Sequence, residues 1–359
     1  MENYSIALIP GDGIGVDVVR EGKKVLDTVS KLHGGFSLTY KEFDWSCEYY
    51  AKNGKMMPDD GLEILKDFDT IYLGAVGYPG VPDHVSLWGL LLPIRREFEQ
   101  YINLRPVKLL KGIESPLAGK SNEDLDFIVI RENNEGEYSN IGGRMYNGTD
   151  FDMAIQNSVF TRRGVERVLR YAFNLSQKQG KTKHVTAATK SNGINHTMPF
   201  WDEYVNKINQ EFPDITSSTV HIDALAANFV IKPETMDVVV ASNLFGDILT
   251  DLGAAIVGGL GIAPSANINP EKNFPSMFEP VHGSAPDIAG KGIANPIASI
   301  WCTSMMLDHL GQEGSAKAII DAMEEVLEER EVRTPDLGGH STTEEVTDAI
   351  CSKLESKLS

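Results

Sequence analysis

The sequence predicts an α/β fold arranged as two closely packed domains. Short apolar runs alternate with amphipathic stretches, as they do where strands alternate with helices in a parallel sheet. The later runs each end on a polar or charged residue. The chain has 359 residues, and at roughly 150 residues per domain that length points to two domains. No long linker, internal repeat or low-complexity tract interrupts it.

The first strand is expected over Ser5–Pro10, where Ile6, Ala7, Leu8 and Ile9 form an apolar run that stops at the turn signal Pro10-Gly11-Asp12-Gly13. Asp17–Val29 follows as an amphipathic helix with Val18, Val19, Val25 and Leu26 on one side. Phe36–Phe43 and Thr70–Ala75 read as strands, the second running into a glycine-rich loop. Phe127–Ile130, His184–Ala188, Thr219–Ile222 and Asp237–Ala241 repeat the theme. In open α/β sheets ligands bind outside the carboxyl ends of the strands. The positions of interest are therefore Arg131, Lys190, Asp223 and the segment after Ala241. Ala316–Arg330 and Thr343–Leu358 are expected as closing helices.

The formal net charge of −18 argues against nucleic acid as a partner, because phosphates would be repelled. A locally basic cleft can still receive an anionic substrate. Cys47, Cys302 and Cys351 are few, odd in number and far apart, which fits neither a disulfide framework nor a zinc knuckle. A reducing, cytoplasmic location is expected. Met1-Glu2-Asn3-Tyr4 has no signal-peptide pattern. The longest mostly apolar stretch, near Ala254–Pro264, is broken by glycines and too short to span a bilayer.

Five constellations carry chemistry. Asp247 and Asp251 stand at i, i+4, on one helix face. A bare pair of this kind usually marks a solvated face. Here Leu244, Phe245, Ile248 and Leu249 hold the carboxylates near a core, where a divalent cation such as Mg²⁺ or Mn²⁺ would neutralise them. Asp223 reads either as a helix cap or as a third metal carboxylate. Arg95, Arg96, Arg105 and Arg131 are candidates for gripping carboxylates, and the apolar flanks of Arg105 argue that it is sheltered. Lys190 suits a general base and Tyr138 a proton donor, although an ordinary surface lysine and a half-buried tyrosine explain the spacing equally well. Pro10–Gly15 is not a standard Rossmann fingerprint, because position 16 is valine. A second glycine-rich loop, His282–Pro296, exposes backbone N–H groups around a histidine and an aspartate.

Taken in order, Ile9–Gly15, Asn103–Pro106, Arg131–Ser139, Thr189–Asn192, Asn243–Asp251 and His282–Pro296 resemble the β-decarboxylating dehydrogenases, the family of isopropylmalate, isocitrate, tartrate and D-malate dehydrogenases. Three more stretches, Asp83–Leu91, Phe160–Arg167 and Ile262–Asn267, resemble its tartrate/D-malate branch. The resemblance implies an isopropylmalate dehydrogenase-like fold with a central mixed sheet. It implies a large cofactor-binding domain of residues 1–102 plus 258–359, and a small domain, 103–257, carrying substrate, metal and dimer contacts. It implies NAD as hydride acceptor and Mg²⁺ or Mn²⁺ as metal, with K⁺ a further candidate cation. Arg95, Arg105 and Arg131 would then bind the diacid. Asp247 and Asp251 would hold the metal with Asp223 of the partner subunit in a homodimer. Lys190 would remove the hydroxyl proton, also across the subunit boundary, and Tyr138 would protonate the product carbon. His282, Gly283, Ser284, Ala285, Asp287 and Asn295 would wrap the adenosine half of the dinucleotide.

Asp287, expected beside the adenosine ribose, accepts hydrogen bonds from free hydroxyls and repels a 2′-phosphate, which favours NAD over NADP. Leu87–Leu92 is expected as the wall facing the substrate's C3 group. Trp88 and Leu91 there leave room for hydrogen or hydroxyl rather than an isopropyl or carboxymethyl arm. Pro93, within about a turn of Arg95, reads either as a helix start or as a residue that shifts the arginine. The expected activity is thus oxidation and decarboxylation of a small (R)-2-hydroxy diacid such as D-malate or tartrate. The alternatives are 3-isopropylmalate or isocitrate dehydrogenase with a divergent wall, a non-catalytic regulatory homologue, and a metal-dependent hydrolase. Retention of Lys190, Tyr138, Asp247 and Asp251 together argues against the second.

Overall fold

The computed structural model describes residues 2–358. Among these, the strands in chain order are β1 Glu2–Gly11, β2 Phe36–Glu42, β3 Thr70–Ala75, β4 Ile102–Lys108, β5 Asp126–Glu132, β6 Gly142–Met145, β7 Met153–Gln156, β8 His184–Thr189, β9 Thr216–His221, β10 Val238–Ala241, β11 Pro264–Ile268 and β12 Ser276–Pro280. The chain divides into two compact units. The first comprises Met1–Gln100, Lys108–Asn122 and Ala254–Ser359, and the second Tyr101–Val107 and Glu123–Gly253. Lys108 pairs with Glu324 at 3.0 Å and the Ser115 hydroxyl donates to the Ile256 carbonyl at 2.6 Å. These contacts draw 108–122 into the first unit.

In the first unit the strand order is β2-β1-β3-β12-β11. β1 runs parallel to β2 and β3, and β12 parallel to β3, whereas β11 is antiparallel to β12. Alternation alone predicts a parallel sheet; β11 makes it mixed, because β12 follows it without a crossover helix. The first helix, Ile14–His33, buries the expected Val18, Val19, Val25 and Leu26. It begins three residues before the amphipathic pattern does. Gly13 turns the chain at φ 58°, and the Ile14 N–H donates to the Ser284 carbonyl at 2.8 Å, so the helix start is set by a distant loop. Buried Asp12 ties three segments together: its carboxylate accepts the Cys47 N–H at 3.0 Å and the Gly77 N–H at 3.1 Å. The helix Ile297–His309 is buried almost throughout.

In the second unit the order is β4-β5-β10-β8-β9, with β10 parallel to β5 and β8, and β8 parallel to β9. β9 begins earlier than the expected Thr219. The His184 ring bonds the Thr216 and Ser218 hydroxyls, each at 2.8 Å, and so starts the β8–β9 pairing there. The helix Ile222–Ile231 follows directly, capped by His221. Asp223 therefore sits inside its first turn and is not its cap. The helices Arg162–Gln179 and Thr197–Asn209 cover the sheet through residues such as Val165, Phe173 and Trp201. β6 and β7 form an antiparallel hairpin, exposed along both strands. Among the described residues, no helix is long and apolar enough to cross a membrane.

Gly13 supplies a stability test. An added Cβ would lie 2.0 Å from the Ser284 carbonyl oxygen, at a φ that β-carbon-bearing residues rarely adopt. Gly13→Ala is expected to lower stability by about 1–3 kcal/mol, read from the urea unfolding midpoint at unchanged slope; a shift of under about 0.5 kcal/mol would mean that the turn relaxes without strain.

Candidate active site

The helix Asn243–Ile256 in the second unit presents the paired aspartates. Asp247 is half-buried and Asp251 exposed. Two buried arginines meet them. Arg131 pairs with Asp247 through a short Nη1–Oδ1 contact. Arg105 lies 3.7 Å from Asp247 Oδ1 and 3.5 Å from Asp251 Oδ1, and donates to the Thr250 hydroxyl at 2.7 Å. The Tyr138 hydroxyl donates to Asp247 Oδ2 at 3.0 Å, and the Arg131 guanidinium sits 5.5 Å from the centre of its ring. Partial burial raises the Asp251 carboxyl above its usual range; Arg105 opposes that shift and Asp247 adds to it. The structure thus brings Asp247, Asp251, Arg105, Arg131 and Tyr138 into one cluster, with Arg105 sheltered as its flanks suggested.

Lys190 and Asp223 form a separate pair, 2.6 Å apart. Asp223 is exposed, and its hydrogen bond from Lys190 holds the carboxyl below its usual range. Among the described residues, no group of three His, Cys, Asp or Glu side chains within the chain could hold a metal. Asp223 therefore does not join Asp247 and Asp251 inside a single chain. The carboxylates that do meet are hard oxygen donors of the kind Mg²⁺ and Mn²⁺ accept.

The loop His282–Asn295 lies in the first unit, against the turn after β1. Ala285, Ile288 and Ala289 pack on Ile14, Val18 and Ala294. Asp17 accepts the Gly290 N–H at 3.0 Å. Gly283 and Asp287 are exposed, while Ser284 and Asn295 are buried. The Asn295 amide donates to Asp336 at 2.9 Å and accepts the Ile297 N–H at 3.0 Å. His282 Nδ1 bonds the Gly283 carbonyl at 2.9 Å, yet its Nε2 is buried with no hydrogen-bond partner. Burial lowers the imidazole's basicity. A buried ring nitrogen with no partner is a polar edge that a bound nucleoside would complete.

Trp88, Leu91 and Arg95 share a helical run in the same unit. Arg95 is buried and bonded to Glu279 at 2.7 Å. The run begins at Asp83, and Pro93 stands at the second position of its last α-helical segment, Leu92–Glu97, where a missing N–H is tolerated.

Several residues that hold the site have no motif of their own. Asn243 Oδ1 accepts from Arg131 Nε at 3.1 Å and Nη2 at 2.8 Å. Glu137 accepts the Ser242 hydroxyl at 2.8 Å and the Leu244 N–H at 3.1 Å. Glu132 accepts the Asn134 and Glu135 N–H groups; burial pushes its carboxyl up to about 7 against them. Asn243 heads its helix and Glu137 precedes Tyr138, so adjacency to a candidate residue was the available signal.

Comparison with known proteins follows this geometry. The profile of the isocitrate/isopropylmalate dehydrogenase family matches residues 5–350. The chain is 58% identical to a probable tartrate dehydrogenase/decarboxylase of Bacillus subtilis (strain 168), over 99% of each chain. It is 57% identical to the decarboxylating D-malate dehydrogenase of Escherichia coli (strain K12), over 98% of each. The crystal structure of isocitrate dehydrogenase from Methylococcus capsulatus superposes with a TM-score of 0.87 at 34% identity, covering 98% of this chain and 99% of that one. The isopropylmalate dehydrogenase-like α/β fold is thereby established, and the chain belongs to the isocitrate/isopropylmalate dehydrogenase family of decarboxylating dehydrogenases.

Proposed function

We propose that the chain is an NAD-dependent, divalent-metal-dependent dehydrogenase. It oxidises a small (R)-2-hydroxy diacid, D-malate or tartrate, and decarboxylates the keto acid formed. The observation that carries this reading is the meeting of two carboxylates, two buried arginines and a phenol in one cluster. The tartrate and D-malate names of relatives above 55% identity support the substrate class.

The chain's residues divide the work. Arg105 and Arg131 offer planar forks for a substrate carboxylate. Lys190 takes the proton of the 2-hydroxyl, and Tyr138, already aimed by its bond to Asp247, gives one to the carbon vacated by CO₂. A cation held by Asp247, Asp251 and Asp223 of the partner subunit would supply positive charge where the oxygen gains negative charge. NAD⁺, against His282, Gly283, Ser284, Ala285, Asp287 and Asn295, would supply the hydride acceptor.

A homodimer is part of the proposal. The helix Ile222–Ile231 exposes Val230 (42%) and Ile231 (71%), the helix Asn243–Ile256 exposes Ile248 (55%), and the hairpin exposes Met145 (51%) and Ile155 (48%). Apolar surface of this extent calls for a cover. The same two helices carry Asp223 and the Asp247/Asp251 pair, so one covering contact would complete the metal site. A second copy of the chain satisfies both needs.

Three measurements test this. With NAD⁺ and Mn²⁺, D-malate or tartrate is expected to yield NADH and CO₂ together, and EDTA to abolish both; NADH without CO₂ from every substrate removes the decarboxylation. Lys190→Met and Asp251→Asn are each expected to be inactive. Their co-expressed mixture should regain about a quarter of wild-type activity, since one intact site forms per hybrid dimer; no recovery from verified hybrids sinks the shared site. Asp287→Lys should cut the NAD⁺/NADP⁺ ratio of kcat/KM by about tenfold or more, whereas an unchanged ratio argues against Asp287 as the discriminator.

A further inference from the structure

The helical run that carries Trp88 and Arg95 is interrupted. Asp83–Ser86 is α-helical, Leu87–Leu91 is a π turn, and Leu92–Glu97 is α-helical again. At the turn the Leu92 N–H reaches back five residues to the Leu87 carbonyl. Pro93 follows at once. It has no N–H, and in a regular helix its ring would collide with the carbonyl four residues earlier. That carbonyl belongs to Gly89, inside the widened turn. Gly89 also lies where a Cβ would stand 2.6 Å from Met56 Cγ, and Leu90 is fully buried. Packing on one side and proline on the other hold the turn wide.

The consequence is a change of register. At about 3.6 residues per turn, positions seven apart share a helix face. One π turn takes in an extra residue, so positions eight apart share it instead. Trp88 and Arg96 are eight apart, and the Arg96 guanidinium lies 4.9 Å from the centre of the Trp88 ring system. Its neighbour Arg95 turns inward to buried Glu279. Adjacent arginines thus receive different partners: one is fixed in the interior, and the other stacks on the residue proposed to face the substrate.

We infer that Arg96 is a specificity-determining positioning residue: set over Trp88 by the π turn, it pins the indole as a wall that admits hydrogen or hydroxyl at the substrate's C3 and refuses a branched alkyl group. This rests on the reading of Trp88 as the C3 wall. A cation over an indole face is attracted by the ring quadrupole, and more strongly when partly shielded from water. The stack also removes rotamer freedom from the tryptophan, so swinging aside for a bulky substituent means breaking it.

The test compares kcat/KM for D-malate and 3-isopropylmalate in wild type, Arg96→Met, Arg96→Gln and Arg96→Lys, with thermal midpoints as the folding control. The preference for D-malate is expected to fall about tenfold or more in the Met and Gln variants, the scale on which apolar pockets discriminate. The change should come through 3-isopropylmalate, with kcat on D-malate held within about twofold. Arg96→Lys should keep most of the preference, because an ammonium can occupy the same ring face. A preference unchanged in every folded Met or Gln variant, in an enzyme whose wild type oxidises D-malate, overturns the inference. A wild type that oxidises neither D-malate nor tartrate overturns instead the proposed function, and the inference with it.

Discussion

Two carboxylates one helical turn apart and near a core cannot remain there without positive charge. At about 4 Å and an effective dielectric near 20, unit charges interact by about 4 kcal/mol, more than the few tenths that an exposed i, i+4 repulsion costs. Arg105 and Arg131 meet Asp247 and Asp251 at this range. The arginines are as dependent on the aspartates as the reverse, because a buried guanidinium left unpaired is costly. The cluster is therefore charge-balanced as it stands, and the proposed cation or carboxylate substrate would enter by exchanging partners with groups already arranged for it.

That balance needs a fixed frame. Arg131 is the last residue but one of β5, and Asn243 opens the helix that bears both aspartates. The Asn243 side chain takes two of the guanidinium's N–H groups and donates to the Glu135 carbonyl at 3.1 Å. Glu137 reaches the same helix at Ser242 and Leu244, placing a carboxylate where the helix dipole favours it. The loop between them carries Tyr138. Arginine, phenol and aspartates are thus tied to one helix start, so their mutual geometry follows from few backbone variables.

The strands that end at Arg131 and Lys190 were legible because each is a short apolar run closed by a polar residue. The aspartate pair was legible from spacing. Asn243, Glu279 and Glu137 were not, because their partners lie 112, 184 and 105 residues away, and no local pattern reports such a distance. The helix Ile297–His309 escaped for a different reason: buried on nearly every side, it has no apolar stripe to betray its period. The hairpin escaped because both its strands are short and exposed. Pro93 signals the start of Leu92–Glu97, but a proline's preference does not tell a helix start from a widened turn just before it.

The Lys190–Asp223 pair links the proposed base and the proposed metal ligand in one contact. At 2.6 Å the ammonium and carboxylate satisfy each other, so in the isolated chain neither is free to act. A cation that drew Asp223 away would have to break this pair, so that holding the metal and releasing Lys190 would be one event. The coupling would run both ways, because whatever competes for Asp223 releases Lys190, and whatever holds Lys190 releases Asp223.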